Sequence, residues 1–179
     1  MITDRFRQFW LLVLAAVPGM LLLLAIILTM APKHVEGLSR FMPLLYLPVV
    51  YYWGMHHARH MPYWLVFAAG LVVDALGAQP TMGLHALLLL GFLMAVHRQH
   101  RTMHKEGFVL QWAMFAALIL GLACCQWVLM MLYYQAYVSP ASGVMQWVLT
   151  VCLYPLLHQL FDGMNHVLQH RRYLLLHGR

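Results

Sequence analysis

The chain has 179 residues, 63% of them hydrophobic and 9% charged, with a formal net charge of +6 when histidine is neutral. A soluble domain carries roughly 25% charged residues, and no soluble fold of this size has interior enough for so much apolar surface, so lipid must be the solvent. Apolar runs of helix length without polar alternation exclude a membrane β-barrel, and positive charge spread over loops, with no aromatic-interleaved basic domain, does not point to nucleic acid.

A spanning helix needs about 20 mainly apolar residues. The first span runs from Phe9 to Met30, with a kink expected at Pro18. It is longer than a signal-peptide apolar region of roughly 7–15 residues and lacks a small-x-small cleavage pattern, so it reads as retained. The second, Phe41 to His57, carries Pro43 and Pro48, and its Tyr51, Tyr52 and Trp53 are placed as an interfacial aromatic belt would be. Pro62 to Gly77 is the third, anchored by Tyr63 and Trp64. It covers only about 24 Å of a core about 30 Å thick, so the turn that follows is expected to dip into the membrane. The fourth runs from Gly83 to His97, the fifth from Phe108 to Tyr134 and the sixth from Val144 to Phe161, with a basic amphipathic tail over 162–179.

Orientation follows from Lys and Arg. With the N-terminus inside, Arg5, Arg7, Arg59, Arg98, Arg101, Lys105, Arg171, Arg172 and Arg179 are internal, and Lys33 and Arg40 are external, nine against two. The positive-inside rule then gives six transmembrane helices with both ends cytoplasmic. The expected fold is all-α: a polytopic integral membrane protein forming one transmembrane domain, with no loop long enough to be a domain of its own.

Only five acidic residues exist, Asp4, Glu36, Asp74, Glu106 and Asp162, and Asp74 alone is enclosed by an apolar run. An aspartate near a helix centre costs roughly 2.5–3.5 kcal/mol to insert, so it must be paired, protonated or wet. Two readings stand side by side. Asp74 is a polar anchor for a partner or ligand at the outer end of a cavity, or an internal latch that caps the neighbouring turn. His85 opens the fourth span across that turn, placed to face Asp74. A proton relay would need further steps, and no other acid is enclosed. Gly70, Asp74 and Gly77 share one helix face, and Pro80 and Gly83 shape the turn. Small residues let backbones approach closely in lipid. The fifth span has a longer ladder of them, Ala113, Ala117, Gly121 and Cys125, which reads either as a docking groove for a partner's transmembrane helix or as packing within the bundle.

Cys124, Cys125 and Cys152 lie inside apolar runs and read as small packing residues without a disulfide. Among twelve histidines, His100/His104 and His166/His170 have the i,i+4 spacing that can clamp a metal. Only Asp162 stands near them at a ligand spacing, so they read instead as interfacial groups that favour anionic lipid. No metal and no cofactor is expected. No nucleophile–base set, paired carboxylates or phosphate-binding glycine loop is present, which excludes the usual enzyme chemistries.

The run Gly70-Leu71-Val72-Val73-Asp74-Ala75-Leu76, followed by Pro80-Thr81-Met82-Gly83, resembles the core motif of the MreD family of rod shape-determining membrane proteins, with one extra residue between proline and glycine. Pro43 with Val50-Tyr51-Tyr52-Trp53 is similar to that family's second helix, and Tyr154-Pro155-Leu156-Leu157 to its last. The resemblance implies a non-enzymatic component of the cell-elongation machinery in the bacterial inner membrane. It implies binding to MreC and, through it, to RodA, a penicillin-binding transpeptidase and MreB filaments, among membrane lipids. It also implies a likeness to the substrate-binding subunits of energy-coupling-factor transporters, and with it the alternative of a small-molecule-binding subunit.

Overall fold

The computed structural model describes residues 2–30, 43–58, 61–77, 83–103, 107–135 and 139–177, with 2–15, 101–103, 142 and 166–177 described for backbone only. Among these residues the chain is all α-helical, in the order α1 Ile2–Met30, α2 Tyr46–His56, α3 Tyr63–Gly77, α4 Leu84–Met103, α5 Phe108–Tyr134 and α6 Ala141–His177. Two stretches, Phe108–Tyr134 and Gly143–Asn165, are long and apolar enough to cross a membrane.

The second element differs from its expected form. α2 has 11 residues, about 16 Å of helix, where a span from Phe41 to His57 was expected. Pro43 stays ahead of the helix, and Pro48 falls in its first turn, where the missing N–H has no intrahelical partner to lose. Nor do its aromatics form a belt. Tyr51 and Tyr52 are fully buried and Trp53 nearly so. Every residue from Tyr46 to Met55 is buried, so α2 is the hub of the bundle, packed against α1, α4 and α6.

The other helices wrap this hub. α1 turns Leu22, Ala25 and Ile26 inward, at helical spacing, and exposes Met20, Leu23, Leu24, Ile27 and Leu28, as a helix with lipid on its outer side should. α4 continues past its expected end at His97 to Met103, and α6 runs without a break from its apolar part into the expected tail. α5 matches its expected bounds. Gly107 leads into it in extended conformation, and Gln135, left-handed at φ 48°, ends it.

The core is aromatic where α2, α5 and α6 meet. Tyr51 lies 4.9 Å from Phe115, and Phe115 stacks on Tyr154 at 4.2 Å between ring centres. The Tyr51 hydroxyl donates to the Gln111 carbonyl at 2.9 Å. Two indoles tie α5 to α6 reciprocally: Trp112 Nε1–H donates to the Val151 carbonyl and Trp147 Nε1–H to the Ala116 carbonyl, each at 3.0 Å. Thr150, fully buried, accepts the Leu44 N–H at 3.0 Å and so fixes the chain just ahead of α2 against α6.

Candidate functional site

Among the described residues α3 and α4 form the most closely packed helix pair, and Gly70 permits it. A Cβ built at Gly70 would stand 2.3 Å from the Ala86 Cα and 2.9 Å from its nitrogen. Only a residue without a side chain lets the two backbones meet there. One turn further along α3, on the same face, Asp74 is 2% exposed.

The Asp74 carboxylate caps the start of α4. Its Oδ2 accepts the N–H groups of Gly83 at 3.0 Å and Ala86 at 3.3 Å. Its Oδ1 accepts the His85 N–H at 3.2 Å and the His85 ring at 2.8 Å. The first N–H groups of any α-helix lack intrahelical partners, and a side chain at the N-cap usually accepts one of them. Here the N-cap position holds Gly83, which has no side chain, and a residue from the preceding helix serves instead. Gly83 adopts φ +94°, a conformation that favours glycine, and that backbone geometry turns its N–H toward the carboxylate. The negative charge also sits at the positive end of the α4 dipole.

Both oxygens are thus engaged within the chain, in the geometry of the internal latch. The route outward runs through His85. Because the carboxylate can only accept, the ring nitrogen facing it, Nδ1, carries the proton, and Nε2 is left as an acceptor. Nε2 takes a hydrogen bond at 3.2 Å from the side-chain amide of Gln126 on α5. Gln126 in turn lines a cavity of about 630 Å³ between α5 and α6, bounded also by Leu44 ahead of α2. Sequence reasoning missed Gln126. The signal was one amide within the otherwise apolar Leu122–Met131 stretch, and polar side chains at membrane depth rarely lack a partner.

A second polar cluster joins α2 to α6 near the opposite end of α2. The Tyr52 hydroxyl donates to Asp162 Oδ1 at 2.5 Å, and His158 Nδ1 lies 3.3 Å from Asp162 Oδ2. His57 Nε2 pairs with Asn165 Oδ1 at 2.8 Å. Asp162 therefore meets the histidine four residues before it. Among the described residues no group of three or more His, Cys, Asp or Glu side chains could hold a metal. His104 and the side chains of His166 and His170 lie outside them.

The α5 ladder departs from one of its two expected readings, packing within the bundle. Ala113, Ala117, Gly121 and Cys125 are all exposed, and a Cβ on Gly121 would meet nothing within 4 Å. They do not pack within the bundle, because α5 buries a different face, Gln111, Phe115 and Ile119. Cys124 and Cys152 are exposed as well, so none of the three free cysteines is a packing residue of the core. Tyr154 is fully buried and Pro155 half-buried beside it. Gly77 closes α3, half-buried. Pro80 lies outside the described residues, as does the turn over 78–82 that was expected to dip into the membrane.

A family model described as rod shape-determining protein MreD matches residues 8–164. The chain belongs to the MreD family. It is therefore a non-enzymatic membrane protein of rod-shape determination, from a family of the cytoplasmic membrane. Comparison with curated proteins and with solved structures returns no match. The motif that carries the MreD resemblance, Gly70 to Gly83, coincides with the α3–α4 contact and its carboxylate cap. Its glycines and its aspartate thus have physical tasks in the hairpin: close approach at Gly70, left-handed backbone at Gly83, and four accepted hydrogen bonds at Asp74.

Proposed function

We propose that this chain is a multi-pass scaffold of the inner membrane, both termini cytoplasmic, that docks the transmembrane helix of MreC and thereby regulates peptidoglycan synthesis and rod shape. MreC links it in turn to RodA, its penicillin-binding transpeptidase and MreB filaments. The observation that carries the reading is the exposed ladder Ala113, Ala117, Gly121 and Cys125 on a membrane-length helix. Lipid gains little from covering such a stripe, whereas a second helix gains close backbone contact. The Asp74 cap supports docking indirectly, by holding α4 where it buttresses α5 through His85 and Gln126.

The test is co-isolation of the chain with MreC from membranes. The pair is expected to stay together in mild detergent, and Gly121→Leu is expected to separate it while leaving the chain folded. Assembly of the pair despite leucine at both 117 and 121 would place the docking face elsewhere. The α5–α6 cavity favours a second reading, the small-molecule-binding subunit of a vitamin-type transporter. Retention of a water-soluble ligand through purification would support that reading over the scaffold.

A further inference from the structure

The cavity between α5 and α6 lies toward the Tyr134 end of α5 and involves a different face from the small-residue ladder. Its volume of about 630 Å³ falls within the roughly 300–1,000 Å³ of small-ligand sites. Ile119, Ala123, Met130, Val144 and Trp147 supply apolar wall, and among the described residues no Asp, Glu, Lys, Arg or His lines it. A charged group placed inside would lose its water and find no counter-charge. Both flanking helices are apolar and of membrane length, so a lipid-soluble ligand can reach the cavity from the bilayer.

One feature of the wall is built rather than merely apolar. The Gln126 amide is held by His85, and His85 by the buried Asp74, at 3.2 Å and 2.8 Å. The α4 cap needs only the backbone N–H groups of the turn, so neither the imidazole nor the amide is required for it. What the line does is fix the orientation of one uncharged polar group on the cavity wall. Beyond its bond to His85, that amide keeps its oxygen and a second N–H for a ligand.

We propose that this cavity binds a neutral membrane amphiphile of the diacylglycerol class, its hydrocarbon chains against the α5–α6 wall and a hydroxyl or ester oxygen at Gln126. The chain in lipid nanodiscs is photolabelled with a diacylglycerol bearing a diazirine in one acyl chain. A phosphatidylglycerol with the same chain serves as the charged counterpart at equal mole fraction. Label from the neutral lipid is expected on residues 119–130 and 143–147, several-fold above that from the phosphatidylglycerol, whose phosphate would lose its water there without a counter-charge. Gln126→Leu, which keeps the wall apolar, is expected to lower the neutral lipid's label about five-fold, the ratio one hydrogen bond of ordinary net strength supplies. Filling the cavity by Ala123→Phe on one helix or Gly143→Trp on the other is expected to remove the label from both. Equal labelling by the two lipids in the parent chain overturns the proposal. So does neutral-lipid label no denser in the cavity than on exposed α3 residues, or label that survives both filling variants in chains that remain monodisperse.

Discussion

Replacing Asp74 by alanine removes four hydrogen bonds at once, to the N–H groups of Gly83, His85 and Ala86 and to the His85 ring. A buried donor left without a partner costs about 1–3 kcal/mol. Ala86 is fully buried, whereas Gly83 and His85 are half-buried. The first therefore takes most of the penalty and the other two a part of it, for a total of about 2–4 kcal/mol. The carboxylate's insertion cost, roughly 2.5–3.5 kcal/mol, acts at an earlier step. Alanine relieves it, so the amount of chain in the membrane is not expected to fall. Asparagine should be milder. It keeps one acceptor oxygen for Gly83 and Ala86, and its amide can donate to His85 Nδ1 if the imidazole exchanges tautomer and the Gln126 amide turns over. Only the His85 N–H then loses its partner. Unfolding in mixed micelles, followed by tryptophan fluorescence, measures both variants. A loss below about 0.5 kcal/mol for Asp74→Ala, less than a single ordinary hydrogen bond, or an Asp74→Asn chain less stable than Asp74→Ala, would refute the cap as what holds α4.

Gly70→Ala places a Cβ 2.3 Å from the Ala86 Cα, so α3 and α4 must part. Overpacking of this kind costs about 1–3 kcal/mol, and Ala86→Gly is not expected to rescue it, because the clash is with backbone. Tyr154→Phe is expected to leave thermal stability unchanged or slightly raised. The Tyr154 hydroxyl is buried with no hydrogen-bond partner among the described residues, and removing such a group costs nothing. A clear fall in melting temperature would mean that a water or ligand serves it. Tyr52→Phe deletes the 2.5 Å bond to Asp162. The Asp162 side chain is 47% exposed and can take water instead, so the expected loss is only about 0.5–1.5 kcal/mol, measured by the same unfolding assay.

What the sequence disclosed and what it hid divide along physical lines. α5 was legible to the residue because a long apolar run ends at Gly107 on one side and at left-handed Gln135 on the other. The meeting of Asp74 and His85 was legible because a short turn between two helices leaves few places for their side chains. The cap itself was one of two readings, and seeing its geometry needed the backbone of Gly83. The burial of Tyr51, Tyr52 and Trp53 was hidden, because aromatics at the end of an apolar run look alike whether lipid or protein surrounds them. Gln126 was hidden for a different reason. Its partner lies 41 residues away, and nothing in helical periodicity joins α4 to α5. Periodicity likewise found the small-residue ladder but not its direction, because both faces of α5 are apolar.

Docking on the α5 ladder is tested most directly by chains that keep a single native cysteine. Cys125 lies on the ladder, and Cys152 is exposed on α6. Each chain is co-expressed with MreC carrying a series of single cysteines along its transmembrane helix, and disulfide crosslinks are formed in membranes. If MreC docks where proposed, Cys125 crosslinks to MreC positions recurring every three to four residues, and Cys152 gives none. Crosslinking through Cys152 with Cys125 silent would contradict the docking face and the scaffold built on it.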